Sequence, residues 1–544
     1  MKKILFLITI CASFMMYSCT EDSFLDEDPK DEIFADNLYV DYDGFQNGLN
    51  GLYQLVRRDR GSESNTTRGA LWQVGTDNCF SNNYNTKLNA FNNYDDLDAD
   101  NGFVEDDFNW LYKIINAANT IINRAEDSSV DWMGANDEYD ELNKNKVVAQ
   151  ARLIRAWSYR HLKYGWGAVP LSLEEITGSN YSNAWTRTPV DSINIQMEKD
   201  LLFAKNNLDI IEETGEVNSA VASTMLSELY LEEERYEEAA DEAISVIDNG
   251  QYSLMTERFG SNASEEGCVF SDLFKNPTPE LGNKEVLWVL NNAYSDITGS
   301  YGLYMKNSWN CHYDKDKVLK KVNDLDTLFY FNGGKGSERL AITPDAFDWY
   351  EPDDDRFSEY CIKKYYIYPT DGTLETFDTI QYTSDEYDDL DDLEDNHLWP
   401  WPRKWEYVDN YVFANNSSAA SYDDQMFMRL GETYLLAAEA LMKQGLTDEA
   451  AIYLNALRER SNASEISGSD VDMDFILDER SRELVSEEYR RHTLVRTGTF
   501  YERTLKYNPL VTEDEITEDN ALLPIPQGII DANTDNVMEQ NPGY

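Results

Sequence analysis

The chain has 544 residues, with 102 acidic side chains against 46 basic ones and a formal net charge of −56. A surface of that sign repels phosphate backbones, which excludes nucleic-acid binding; it also disfavours strongly anionic ligands, within the roughly 8 Å over which such fields act at physiological salt. With 42% hydrophobic and 13% aromatic residues, the chain is expected to fold rather than stay disordered.

The N-terminus reads as an address. Lys2 and Lys3 precede an apolar run, Ile4 to Met16, that is too short for a membrane-spanning helix. The run ends at Met-Tyr-Ser-Cys, so residues 1–18 are expected to be a lipoprotein signal peptide and Cys19 the lipidated residue. The acidic stretch Thr20-Glu21-Asp22 resembles signals that carry lipoproteins to the cell surface. Residues 19–37 are polar and read as a tether, and 38–544 as the folded part. Cys11 leaves with the signal. Cys79, Cys268, Cys311 and Cys361 remain, and their spacing leaves three pairings open. No C-x-x-C is present to suggest zinc.

The region 65–105 is loop-rich. Asp107 to Ala125 then carries Leu111, Ile114, Ile115, Ala118, Ile121 and Ile122 at helical spacing, and Lys146 to Tyr164 reads as a second helix, stopped by Gly165-Trp166-Gly167 and Pro170. Val221 to Asp248 reads as two helices joined by a turn near Arg235, the second rich in alanine, like one tetratricopeptide unit. Gln425 to Arg460 reads as another such hairpin. One hairpin cannot bury its face alone, so the earlier helices must stack on these. Between them, residues 250–424 are rich in Gly, Pro, Asp and aromatics, with a strand-like run at Glu285–Leu290. The predicted fold is mainly α: a discontinuous tetratricopeptide-like scaffold, about 107–250 and 425–500, with a large loop-rich, mixed insertion. The ligand region is expected over about 65–105 and 250–424, because binding residues sit disproportionately on loops held by a rigid scaffold. Trp110, Trp157, Trp166 and Trp288 are expected in the core; Trp399, Trp401 and Trp405 either line a groove or brace the fold.

Catalytic motifs are missing. None of the four His falls in H-E-x-x-H, and no G-x-S-x-G elbow occurs. Gly333-Gly-Lys-Gly-Ser337 lacks P-loop spacing and reads as a turn. The acidic clusters at Asp95–Asp107 and Asp385–Asp395 read as solvated loops, since Gly102 falls one place late for a calcium loop built on Asp96, Asp98 and Asp100. No cofactor is called for, and structural calcium has no support. With so many acids, a carboxylate pair by itself does not point to glycoside hydrolysis.

Several segments together resemble the SusD/RagB family. Phe24-Leu25-Asp26 with Pro29 looks like its opening. Arg152, Arg155, Ala156, Trp157 and Tyr159, followed by Gly165-Trp166-Gly167-x-Val169-Pro170-Leu171, are similar to its most recognisable helix and turn. Arg429, Glu432, Tyr434, Leu435, Ala438, Glu439 and Ala440 match R-x-x-E-x-Y-L-x-x-A-E-A, and Glu479-Arg480-x-x-Glu483-Leu484-x-x-Glu487 with Arg490 and Arg496 resembles the late E-R-x-x-E-L-x-x-E helix. Two positions depart from that helix: Glu488 replaces the usual Gly and Thr493 the later Asp. Leu523-Pro-Ile-Pro526 and Gln540-Asn-Pro-Gly-Tyr544 resemble the closing motifs. Arg152, Arg155, Arg429, Glu432, Glu479, Arg480 and Glu483 are expected to form internal ion pairs and caps rather than to touch ligand.

The resemblance implies four tetratricopeptide-like hairpins and a non-enzymatic lipoprotein on the outer-membrane surface. By the same resemblance it would capture oligosaccharide or polysaccharide for a SusC-like, TonB-dependent transporter, with peptide uptake, as in RagB-like members, as the alternative. A sugar offers flat C–H faces to aromatic rings and hydroxyl rims to Asp, Asn and Arg. The regions that form the family's binding face hold Trp72, Asp77, Asn82, Asn83 and Tyr84, then Tyr294, Tyr301, Tyr304 and Trp309. Trp309 is the expected stacking platform.

Overall fold

The computed structural model describes residues 35–63, 66–82, 88–292, 302–312, 332–337, 339–369, 377–381, 399–406 and 420–544. Helices dominate. After a single turn at Ala35–Leu38 come α1 (Tyr42–Arg57), α2 (Gly102–Arg124), α3 (Asp137–Trp166), α4 (Val190–Asn207), α5 (Ser219–Glu232) and α6 (Tyr236–Ile247). Short helices in the insertion include α7 (Val269–Lys275) and α8 (Met305–Trp309). The scaffold then resumes with α9 (Leu430–Lys443), α10 (Thr447–Arg460), α11 (Met473–Leu484), α12 (Arg490–Arg496) and α13 (Phe500–Tyr507). No helix among the described residues is long and apolar enough to cross a membrane.

Caps set the helix starts. Asn101 accepts from the amides of Phe103 and Val104, Asn136 from Glu138 and Tyr139, Asn218 from Val221, and Asp472 from Phe475. Each satisfies an amide that has no partner inside its helix. α3 begins at Asp137, well before the Lys146 that apolar periodicity predicts, because its first turns are exposed and polar and only the cap marks them. It stops at Gly167, where φ is +70° and an added Cβ would stand 3.0 Å from Leu522.

Among the described residues, four helix pairs stack in order: α1 with α2, α3 with α4, α5 with α6, and α9 with α10. The last two share one turn design. Arg235 N–H donates to Tyr230 O at 2.8 Å past Glu234 at φ +58°, and Leu446 N–H donates to Leu441 O at 3.0 Å past Gly445 at φ +79°. α9 packs on α5 and α6. The buried small residues Ala239, Ala240 and Ala243 of α6 and Ala437, Ala438 and Ala440 of α9 permit the close approach, and the hydroxyls of Thr224 and Thr433 meet at 3.1 Å. The scaffold is therefore continuous in space although the insertion interrupts it in sequence.

Among the described residues the strands form five antiparallel two-stranded ladders: β1 (Ser62–Glu63) with β2 (Thr66–Thr67), β3 (Cys79–Ser81) with β5 (Leu340–Ile342), β4 (Val286–Leu290) with β10 (Gln425–Arg429), β6 (Ile362–Lys363) with β9 (Trp401–Pro402), and β7 (Tyr365–Pro369) with β8 (Phe377–Gln381). β10 corrects the expected helical start at Gln425. Its backbone pairs Gln425 with Leu290 and Met426 with Val289, so the two ends of the insertion are tied together before α9 begins.

Trp110, Trp157, Trp166 and Trp288 are buried, as are Trp399, Trp401 and Trp405. The last group braces the fold: Trp399 Nε1–H donates to Ile342 O and Trp405 Nε1–H to Ser486 Oγ, each at 2.9 Å. Gly333 and Gly334, at φ +82° and +93°, form the expected turn.

The charged signature residues are interior. Arg155 grips Asp200 with two 2.8 Å bonds. Glu483 accepts from Arg356 at 3.0 Å and from Arg429 and Arg460 at 2.5 Å, and Arg460 reaches Glu285 at 2.9 Å. Arg480 pairs with Glu488, the residue standing where the family places Gly, at 2.6 Å. This network joins the foot of β4, the end of β10 and the helices α10 and α11. Arg152 departs from the expectation: its guanidinium lies 4.1 Å over the ring of Phe203 and has no ion pair among the described residues.

Candidate functional site

α8 is a knot where distant loops meet. Leu303, just before it, bridges Gly61 on one side and Ser421 on the other. Tyr304 N–H donates to Arg60 O at 2.7 Å. Ser308 Oγ meets Thr66 Oγ1 at 3.0 Å and accepts from Thr67 N–H at 2.9 Å. Asn307 O and Ser308 O accept from the amides of Ser337 and Arg339 at 2.9 and 2.8 Å, and Arg339 O accepts in turn from Asn82 N–H at 3.4 Å. The two regions predicted to hold the ligand, one early and one in the insertion, thus converge on a five-residue helix. Around it, Asn82 Oδ1, Asn310 Oδ1 and Arg339 Nε are buried with no hydrogen-bond partner among the described residues.

The predicted site residues separate under this geometry. Asn82 and Tyr304 are half-buried beside α8. Trp72, Asp77 and Trp309 are interior. Trp309 is 1% exposed, so neither face of its ring is open to a sugar; it is the floor beneath the loops, not a platform on them. Trp72 is 0% exposed and packs edge-on against Trp166 and His161, with ring centroids 5.7 and 5.3 Å away. Asp77 accepts from Arg490 at 2.8 and 2.7 Å and from Arg503 at 2.8 Å, which uses its hydrogen-bonding capacity inside the protein. Tyr84, Tyr294 and Tyr301, with Asn83, lie outside the described residues, as does the Asp385–Asp395 cluster.

Two adjoining cavities open beside this knot. One, of about 260 Å³, is lined by Gln54, Arg57, Arg58, Gly61, Ser62, Arg68 and Leu303. The other, of about 380 Å³, takes Gln46, Asn50, Tyr53, Gln54 and Arg57 from α1, Glu213 and Glu216 from the turn before α5, and Asn291 from the end of β4. Gln54 and Arg57 are common to both. The guanidinium of Arg57 donates to Asn291 O at 3.3 Å and has no carboxylate bonded to it among the described residues; partial burial lowers its pKa.

Sequence reasoning missed these α1 residues. A signal for them existed: Gln46, Asn50, Gln54 and Arg57 recur at helical spacing opposite the buried Phe45, Leu49, Leu52 and Val56. A polar stripe on an amphipathic helix is ordinarily a solvated face, and only the neighbouring turn and strand end convert it into a wall.

Amide and guanidinium donors with carboxylate acceptors suit a neutral, hydroxyl-rich ligand. Glu213 and Glu216 come from one tight turn, with Glu216 N–H donating to Glu213 O at 2.9 Å, so both stand on the same wall. Glycoside hydrolysis needs carboxyl groups flanking the scissile bond. Among the described residues no group of three or more His, Cys, Asp or Glu is placed to hold a metal.

The model described as the SusD family matches residues 284–544, and one described as starch-binding, associating with the outer membrane, matches residues 23–231. The SusD-like protein P25 of Formosa agariphila is 24% identical, covering 94% of each chain. The starch-binding protein SusD of Bacteroides thetaiotaomicron is 34% identical over 134 residues, 23% of each chain. Two solved structures share the fold. A laminarin binding SusD-like protein has a TM-score of 0.67 at 20% identity, covering 92% of this chain and 99% of its own. Surface glycan-binding protein A from Bacteroides fluxus has 0.67 at 18% identity, with the same coverage.

Proposed function

The chain belongs to the SusD/RagB family, and from that premise we propose that it binds a glycan at the outer-membrane surface and hands it to a SusC-like, TonB-dependent transporter without cleaving it. The observation that carries the binding reading is the convergence of three loop regions on α8 beside the donor-rich cavities shared by Gln54 and Arg57. Names of relatives point the same way: one binds starch and one solved neighbour binds laminarin. The anchor belongs to the same proposal. Cys19 and its signal lie outside the described residues, and lipid there would hold the protein at the membrane.

A glycan array beside a peptide panel tests the cargo. Binding to one or more glycans and to no peptide is expected. For the glycan bound, Arg57→Ala should weaken affinity about tenfold, the loss of a charged donor worth about 1.5 kcal/mol. Its melting temperature should hold, because Arg57 has no ion-pair partner to strand among the described residues. Unchanged glycan affinity would move the site elsewhere, and peptide-only binding would favour the RagB-like role.

The transporter follows from chemistry. Oligosaccharides are too polar to cross lipid unaided, and holding cargo over a channel mouth raises its effective concentration there. Recovery of a large barrel protein at comparable stoichiometry, when this chain is pulled from mildly solubilised outer membranes, is the expected result. Recovery of the chain alone would leave a free-standing glycan-binding lipoprotein.

A further inference from the structure

Four cysteines of the folded part are buried, and spacing alone left three ways to pair them. The fold brings two of them together. Cys268 sits immediately before α7, and Cys361 immediately before β6, 93 positions later in the chain. Their sulfur atoms are 3.5 Å apart, in contact. Each thiol is held from its own side. Ser271 N–H donates to Cys268 Sγ at 3.4 Å while Cys268 N–H donates to Ser271 Oγ at 3.1 Å. Cys361 N–H donates to Ser358 O at 3.0 Å, and Cys361 O accepts from Arg403 N–H at 2.7 Å. Around them Phe270, Leu273, Val286, Val289 and Met426 form a small apolar core of their own, apart from the main one.

From this juxtaposition we propose that Cys268 and Cys361 form a disulfide in the exported protein, a cross-link that closes the part of the insertion carrying α8. The chemistry fits an exporting compartment. The Cys361 thiol hydrogen-bonds Cys268, which, despite burial, draws the Cys268 thiol down to about 7, whereas burial pushes the Cys361 thiol well above its ordinary value. Cys268 is therefore the attacking thiolate. It displaces one sulfur of a disulfide-bearing oxidant, a thiol–disulfide oxidase, to give a mixed disulfide and one oxidant thiol. Cys361 then gives up its proton and attacks Cys268 Sγ, releasing the second oxidant thiol. Two protein thiols are oxidised by two electrons, and the oxidant's disulfide is reduced to its dithiol. Cys361 also borders a cavity of about 270 Å³ that reaches the surface between Tyr360, Tyr365 and Lys275, so the pair has a side from which reductant or oxidant can approach.

The link matters because of what it encloses. α8, β4 and β5 all lie between the two cysteines. Closing so long a loop removes conformations from the unfolded chain, and it fixes the first turn of α7 to the start of the β6–β9 ladder.

The test uses the full chain, expressed with its own leader so that it meets the exporting compartment. Free thiols are alkylated in denaturant without reductant, and the protein is digested and mapped by mass spectrometry. A peptide pair joined through Cys268 and Cys361 is expected. Reductant should lower the melting temperature of the wild type by several degrees and leave that of Cys268→Ser, Cys361→Ser and the double variant unmoved. All three variants should melt where the reduced wild type melts. Alkylation of both cysteines in exported protein overturns the proposal, as does a link from either one to Cys79 or Cys311. If single variants misfold, the peptide map of the wild type decides alone.

Discussion

Glu483→Gln is expected to destabilise the protein by more than about 3 kcal/mol, enough to leave much of it unfolded or insoluble. The side chain of Glu483 is fully buried and takes hydrogen bonds from Arg356, Arg429 and Arg460. Burial alone would raise its pKa; the three guanidiniums, Arg460 foremost, instead hold it well below the usual carboxylate range. Gln keeps the shape but removes the charge and turns an N–H₂ toward donors, so buried cations lose their shared acceptor. The other acids cannot replace it. Glu285, Glu479 and Glu487 are already engaged with Arg460, Arg356 and Arg429 respectively. Thermal unfolding of Glu483→Gln beside Glu465→Gln, an exposed acid, checks this. Equal melting temperatures would mean that the network contributes specificity of fold and little stability. The network's position explains the size of the effect: it joins the insertion, through the foot of β4 and the end of β10, to α10 and α11, so both parts of the fold loosen with it.

Stability should also fall as pH drops below about 6.5, through His161 and His492. The rings touch, with centroids 4.7 Å apart, in the core beside Trp72. His161 Nδ1 pairs with Trp157 O at 2.9 Å, while among the described residues His161 Nε2 and both nitrogens of His492 have no hydrogen-bond partner. Burial lowers both pKa values well below 6.5; Arg160 adds to it for His161, and His161, Arg160, Arg491 and Lys163 add to it for His492. The sign follows from proton counting. Above 6.5 both states are neutral and nothing is gained or lost. Below it the unfolded chain binds two protons that the folded core refuses, so each His withdraws about 1.4 kcal/mol per pH unit. Asp59, raised by burial to about 6, works in the opposite direction below that pH because its folded form takes up a proton first. The buried carboxylates act in a lower window; Glu479, at about 2, loses its stabilising pairs only below about pH 4.5. Melting temperatures between pH 7 and 5 should therefore slope downward in the wild type. The slope should be about half as steep in His492→Phe. An identical slope would place the titrating groups elsewhere.

Much of the scaffold was legible because it obeys helical periodicity. The apolar face of α2, the alanine-rich second helix of each hairpin and the glycine stop of α3 are local patterns that fix local structure. The signature Arg and Glu residues pointed to interior ion pairs because such charges in the apolar face of a helix have nowhere else to go. The N-terminal turns of α3 were missed, since an exposed polar turn looks like loop unless its cap is noticed. β10 was read as helix because a five-residue strand is defined by its partner, β4, far away in the chain.

The site shows the same division more sharply. Sequence identified the loop regions that would meet, because loops rich in aromatic and polar residues on a helical frame have few other uses. It could not sort their aromatic residues. Trp72 and Trp309 look like stacking platforms in one dimension, but Trp72 is buried against His492, far along the chain, and Trp309 beneath the strands and turn that gather around α8. Nor could it show that a polar stripe on α1 becomes a cavity wall, or which two of four cysteines touch. Local spacing determined the helices, the turns and the family. Burial, cavity shape and sulfur contact are properties of surfaces brought together by the whole fold, and only the tertiary structure decided them.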